Sequence, residues 1–224
     1  MSGASERPTI GLIHAVQPAI APLKEQLARD LPGVRVLNLL DEALIAEMER
    51  LGSITPALVR RMTGLVALQQ QAGARAVLLS CTVYSPFVEQ VQAQADVPVL
   101  AIDAVMVEQA VRQGTRLGVL ATNPNGLRMQ REMLGRASER LAKPVEIEAV
   151  LRQDAWEALV AGQGERHDAI LAEEAARLAP KVDLIVLAQA SMARAVARLP
   201  ADLGVAVLSS PALAVDKVKE VLGL

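Results

Sequence analysis

The chain has 224 residues, 52% hydrophobic and 21% charged, enough apolar material for one large core or two smaller ones and too much for a disordered chain. A net charge of -2 and a pI near 5.8 leave no basic footprint for nucleic acid or for an acidic membrane surface. One cysteine excludes an intrachain disulfide and any multi-cysteine metal site.

Met1–Pro8 is short and polar, with no apolar leader, and no apolar run approaches the length of a membrane span. With a lone free thiol, this reads as a soluble protein of a reducing cytoplasm.

Eight short apolar runs follow in order: Ile10–Val16, Val34–Leu40, Ala76–Thr82, Val97–Asp103, Leu117–Thr122, Val145–Leu151, Leu184–Ala190 and Gly204–Ser210. Most are apolar on consecutive positions, the pattern of strands covered on both faces in a parallel sheet. Between them lie segments of helical periodicity, among them Pro18–Asp30, Pro56–Ala72, Asn125–Leu141 and Asp168–Leu178. Strand alternating with helix is an α/β chain.

Eight units also suit a β/α barrel. The internal repeat favours another arrangement. Ile10-Gly11-Leu12-Ile13-His14-Ala15 resembles Leu117-Gly118-Val119-Leu120-Ala121-Thr122, and Ala76–Cys81 lines up with Leu184–Gln189. The predicted fold is therefore two pseudo-symmetric doubly wound halves, each with a four-stranded parallel sheet, and an active site in the cleft between them. The first half covers 1–107 with the C-terminal helix 211–224 packed back on it; the second covers 108–210.

Ligands bind beyond the carboxyl ends of such strands. The residues there are small and polar: His14, Gln17, Ser80, Cys81, Thr82 and Asp103 in the first half, and Thr122, Asn123, Asn125, Gln189, Ser191, Ser209 and Ser210 in the second. Helices that begin at these points aim backbone N–H groups at the ligand, so a small carboxylate is the expected partner. No G-x-G-x-x-G, Walker or H-E-x-x-H pattern occurs, and His14 and His167 make no metal-ligand spacing.

Cys81 is the candidate catalytic residue. It ends a buried strand among Ser and Thr, and a helix start predicted near Pro86 lowers a thiol pKa. The plain alternative is an inert buried thiol. Tyr84 either donates to substrate or walls the pocket, His14 either contacts substrate or caps a loop, and Asp103 either orients a partner or caps a helix. His167 reads as a surface residue at a helix start, Trp156 as helix packing, and Glu173-Glu174 as a solvated face.

Leu78-Leu79-Ser80-Cys81-Thr82, His167–Leu171 and Asp183-Leu184-Ile185-Val186-Leu187-Ala188-Gln189-Ala190-Ser191-Met192 resemble the aspartate/glutamate racemase superfamily, which includes hydantoin racemases, maleate isomerases and arylmalonate decarboxylases. The resemblance implies two α/β halves, no metal, no cofactor and a homodimer. It also implies a cysteine in each half, one removing a proton and one delivering it. Here the second position is Gln189, an amide with no pKa useful for proton transfer.

The expected function is therefore cofactor-independent thiol chemistry at Cys81 on a small carboxylate or carbonyl substrate, by isomerisation or decarboxylation before two-base racemisation. His14, Thr82, Val83, Tyr84, Thr122, Asn123, Gln189, Ser191 and Ser209 are the expected substrate contacts. The alternatives are a carboxylate-binding protein without catalysis, and a racemase with another second base, for which His14 is poorly placed beside Cys81.

Overall fold

The computed structural model describes residues 7–224, so most of the Met1–Pro8 reading lies outside the described residues. It contains two four-stranded sheets, and every strand pair in both is parallel. The first joins β1 (Thr9–His14), β2 (Arg35–Leu40), β3 (Ala76–Leu79) and β4 (Val99–Ala101) in the order β2-β1-β3-β4. The second joins β5 (Arg116–Ala121), β6 (Glu146–Leu151), β7 (Leu184–Leu187) and β8 (Ala206–Ser209) in the order β6-β5-β7-β8.

Each of the eight apolar runs contains one strand, and the repeat in sequence is a repeat in topology. The two central strands of each sheet are buried along nearly their whole length, as consecutive apolar residues demand. The outer strands β2 and β6 are half-buried and mix polar with apolar residues.

The helices are α1 (Ile20–Asp30), α2 (Ala43–Leu51), α3 (Pro56–Gln71), α4 (Val88–Gln92), α5 (Ala104–Gln113), α6 (Pro124–Arg140), α7 (Gln153–Val160), α8 (Gly164–Leu178) and α9 (Ser210–Leu222). Two have clear start signals. Thr55 caps α3 by accepting from the Leu58 N–H, and Asn123 caps α6 by accepting from the Gly126 N–H at 2.6 Å; a proline follows each cap. Among the described residues no helix is long and apolar enough to cross a membrane.

The chain divides into two compact units. One comprises the residues up to Ala101 together with Val215–Leu224; the other is Ile102–Ala214. The boundary predicted at 107/108 thus moves to 101/102. The cause is α5, whose buried Met106, Val107, Ala110 and Val111 share one core with Leu117 and Val119 of β5 and Val186 of β7. A short apolar helix belongs with the sheet it covers. The first part of α9 groups with the second unit for the same reason, Leu213 packing against that core.

A second core lies on the other face of the second sheet. It joins Leu120 of β5 and Ile185 and Leu187 of β7 to Leu171, Ala175 and Leu178 of α8. Alternation along β5 sends Leu117, Val119 and Ala121 to the α5 side and Leu120 to the α8 side. Gly118 shares the α8 face, where a Cβ would lie 2.7 Å from Leu178 Cδ2, so the helix approaches the strand as closely as only glycine permits.

Candidate functional site

In the first unit, the β1–β3 pairing continues one residue past β3. The Ser80 N–H donates to the Ile13 carbonyl at 2.9 Å. Ser80 is buried, and Cys81, the next residue on an extended backbone, emerges half-exposed. Cys81 is in no disulfide, and the residue as a whole is partly exposed.

A 3₁₀ segment, Thr82–Phe87, starts immediately after Cys81 and runs through Pro86 into α4. The regular helix predicted to start near Pro86 is therefore replaced by a tighter turn. Proline disfavours α backbone at the residue before it, and the stretch Thr82–Pro86 is too short to build a helix first. A helix dipole acting on Cys81 loses its basis with this change. What remains is a strand-end thiol whose carbonyl accepts from the Tyr84 N–H at 3.0 Å.

Thr82, Val83 and Tyr84 are all buried. The Tyr84 hydroxyl donates to the Leu44 carbonyl at 2.9 Å, tying the turn to α2. Burial first, then the nearby Cys81, pushes its phenol pKa above the usual range. The Tyr84 hydroxyl is thus paired within the first unit.

His14, at the end of β1, is fully buried and committed at both ring nitrogens. Nδ1 lies 2.8 Å from Ser80 Oγ, and Nε2 lies 3.1 Å from Asn38 Oδ1. An amide oxygen only accepts, so Nε2 carries the proton and Nδ1 accepts from the serine hydroxyl. Burial lowers the pKa of the imidazole below 6.5, against a smaller opposing effect of the Asn38 bond. With both nitrogens paired, His14 holds the strand ends together.

In the second unit, Thr122 and Gln189 follow β5 and β7 directly. The Thr122 N–H and hydroxyl both donate to Gln189 Oε1, at 3.0 and 3.2 Å. A backbone N–H can only donate, so these bonds fix which end of the amide is oxygen. Nε2 is then the outward donor. It is buried and has no partner among the described residues. It rests over Gly126, where a Cβ would lie 2.0 Å from it. Asn123 is spent on the α6 cap, Ser191 is buried in the 3₁₀ segment Ala190–Arg198, and Ser209 ends β8 half-buried beside Leu187.

Asp103 stands at the start of α5, fully buried, with no cap bond from its side chain to a helix N–H. Glu174, expected to be solvated, is bonded to Arg152 at 2.8 Å beyond the end of β6, with its side chain 14% exposed.

His167 differs from expectation most. It is not on the surface but fully buried in the first turn of α8. Nδ1 lies 2.8 Å from Asp168 Oδ1, and Asp168 in turn accepts from Arg194 Nε at 2.9 and 3.1 Å. Nε2 is buried with no partner among the described residues. Burial lowers the imidazole pKa, partly offset by Asp168. The missed signal was spacing: His167, Leu171 and Leu178 form one helical stripe, and the last two are core. Gly126 was missed because room for a neighbour's side chain leaves no mark in the sequence.

No group of three or more His, Cys, Asp or Glu among the described residues is placed to hold a metal ion.

Residues 22–218 match the family model described as Asp/Glu/Hydantoin racemase. A glutamate racemase of Trichodesmium erythraeum (strain IMS101) is 28% identical over 123 residues, 54% of this chain. The match spans only 44% of that relative's length. Among solved structures, allantoin racemase from Klebsiella pneumoniae superposes with a TM-score of 0.71 at 18% identity, over 96% of this chain and 88% of the other. A glutamate racemase isoform from Bacillus anthracis gives 0.71 at 14% identity, over 96% and 82%. An arylmalonate decarboxylase gives 0.64 at 19% identity, over 96% and 93%. At these identities the structural likeness speaks for the fold alone.

Proposed function

Because the chain belongs to the Asp/Glu/Hydantoin racemase family, we propose that it is an enzyme that makes or breaks a bond at a carbon next to a carboxylate or carbonyl, with Cys81 as the reacting thiol. The observation that carries the reading is a partly exposed cysteine just past the carboxyl end of a central strand, where α/β folds bind ligands. Cys81 acts as acid, base or nucleophile; the chemistry needs no cofactor.

The Gln189 amide supports a carboxylate or carbonyl substrate. Its oxygen is held by Thr122 and its nitrogen lacks an acceptor. Leaving a buried donor unsatisfied costs about 1–3 kcal/mol, which a substrate oxygen would recover. Such a donor also stabilises the negative charge that grows on that oxygen as an enolate forms. Isomerisation, racemisation included, and decarboxylation share this enolate. The protein is expected to work as a homodimer in the cytoplasm.

The test is incubation in deuterated water with L- and D-aspartate, L- and D-glutamate and phenylmalonate, followed by proton NMR. Deuterium at the α-carbon, or release of carbon dioxide, is expected from the wild type and not from Cys81→Ala. Absence of both from the wild type removes the reading for these substrates. A second reading, a carboxylate binder without catalysis, is favoured by the amide standing where the family carries a thiol. A binder keeps its ligand affinity in Cys81→Ala and turns nothing over in either form.

A further inference from the structure

We propose that Ser80 is a second nucleophile, activated by His14 as general base with Asn38 as its orienter, and that it takes the acyl group of small esters. The three residues lie wholly within the first unit, and the inference goes beyond the thiol chemistry above.

Sheet register sets the row. β1 meets β3 with Ile13 opposite Leu79, and the Ser80 N–H donates to the Ile13 carbonyl, which puts Ser80 beside His14 one step further on. β1 meets β2 with Leu12 opposite Asn38. Residues two apart on a strand share a face, so Asn38 stands on the face of His14. The row crosses three strands near their carboxyl ends, where α/β sheets carry their chemistry.

The hydrogen bonds run in one direction. Asn38 Oδ1, 3.1 Å from Nε2, fixes the ring hydrogen there and leaves the Nδ1 lone pair facing the Ser80 hydroxyl at 2.8 Å. A neutral imidazole that accepts from a hydroxyl, with its other nitrogen held by a third group, is the arrangement that makes serine a nucleophile. Either ring nitrogen can be the base, since each carries an in-plane lone pair when unprotonated. Burial lowers the His14 pKa below 6.5, so the ring is neutral and free to take a proton at pH 7.

The second unit is the internal control. Its strands repeat those of the first in matching registers, Thr9–His14 corresponding to Arg116–Ala121, Arg35–Leu40 to Glu146–Leu151 and Ala76–Leu79 to Leu184–Leu187. The Ala188 N–H donates to the Leu120 carbonyl at 2.9 Å, just as Ser80 donates to Ile13. In that unit the positions of His14, Asn38 and Ser80 are Ala121, Ala149 and Ala188. Three alanines complete the same strand ends, so the topology does not require the polar row. Burying an imidazole and a hydroxyl has a desolvation cost that methyl groups do not carry. A row present at that cost in one copy only points to a use beyond the fold.

The step balances as follows. Ser80 Oγ bonds to the ester carbonyl carbon while its proton passes to Nδ1. The bond to the leaving alcohol oxygen breaks, and that oxygen takes the proton from Nδ1. Water then attacks the acyl-serine, giving its proton to Nδ1, and the bond to Oγ breaks as Oγ takes the proton back. One ester and one water become one acid and one alcohol. Ser80 is buried, so the acyl group is small, acetyl rather than a long chain.

The experiment is peptide mapping by mass spectrometry of the native full chain, after reaction with methanesulfonyl fluoride and after acid quench from 4-nitrophenyl acetate. A sulfonyl or acetyl adduct is expected on Ser80. An adduct confined to Cys81, or none on the native protein, overturns the proposal. Acetate turnover is expected to fall about 10²-fold or more in Ser80→Ala and in His14→Gln. Asn38 is exposed on the outer strand, so Asn38→Ala removes the orienter without opening the core. It is expected to slow Ser80 labelling by a smaller factor, and a labelling rate unchanged in both His14→Gln and Asn38→Ala overturns the proposal. Adducts on Ser80 and Cys81 are read separately, and exchange at a substrate carbon plays no part. Failure here is therefore distinct from failure of the thiol reading.

Discussion

The strand ends of the two units place the same kinds of residue in opposite states. In the first unit the histidine is saturated: Ser80 and Asn38 take both of its nitrogens, and the Tyr84 hydroxyl is spent on Leu44. Ser85 Oγ, in the turn that follows β3, is buried without a partner among the described residues, and Cys81 is partly exposed. In the second unit the thiol position is an amide. Elsewhere in that unit, as at Gln189 Nε2, buried atoms lack partners among the described residues: His167 Nε2 and both amide atoms of Gln130, one turn beyond Gly126 on α6. Unpartnered buried groups are rare because each is costly. One repeated topology thus carries a histidine with both nitrogens bonded in one copy and a histidine with a bare buried nitrogen in the other. The difference teaches that two copies of one topology need not pair their buried polar groups alike.

The largest test of this contrast is Cys81→Ala. Turnover is expected to fall about 10²–10⁴-fold, with the fold retained. An undiminished rate in the exchange assay would move the chemistry out of the first unit altogether. Next is Gly126→Ala, which pushes a methyl into the place of Gln189 Nε2. KM is expected to rise about tenfold, or ~1.4 kcal/mol. The displaced amide offsets the helix-propensity gain of alanine, so the melting temperature is measured beside KM to separate loss of fold from loss of binding. An unchanged KM would mean the amide does not meet substrate.

Tyr84→Phe sharpens the first unit's side. It leaves the buried Leu44 carbonyl without its donor and is expected to cost about 1 kcal/mol in urea unfolding. Turnover should not change; a large loss would return Tyr84 to the substrate.

The smallest effect is in pH. Both histidines have folded-state pKa values below 6.5, the value assigned to an unperturbed imidazole. The folded state therefore favours the neutral rings. Their contribution is intact above about pH 6.5 and is lost as pH falls through the lower folded values. Unfolding free energy should decline between pH 7 and pH 5, and His14→Gln should make that decline shallower. An identical slope would show that His14 is not coupled to folding.

Much of the fold was legible in the residues because its signals are local. Consecutive apolar runs mark β3 and β7 whatever surrounds them, and the matched runs around Gly11 and Gly118 announce the repeat. Less of the site was legible. Cys81 and Gln189 are found by their position at the ends of such runs. The helix start at Pro86 was misplaced because proline's effect on the residues before it turned the segment into a 3₁₀ turn. The unit boundary was misplaced because α5 has no local mark saying which sheet it covers.

The amino-acid sequence by itself determined eight strands, two copies of one topology, a lone thiol at a strand end and an amide at the matching end. Those are consequences of order and periodicity along the chain. Only the tertiary structure decided which histidine is saturated and which keeps a bare nitrogen. It also decided which way the Gln189 amide faces and why residue 126 carries no side chain. Hydrogen-bond saturation and free volume are properties of neighbours in space, and Asn38, Gly126 and Arg194 become neighbours of these groups only when the chain is folded.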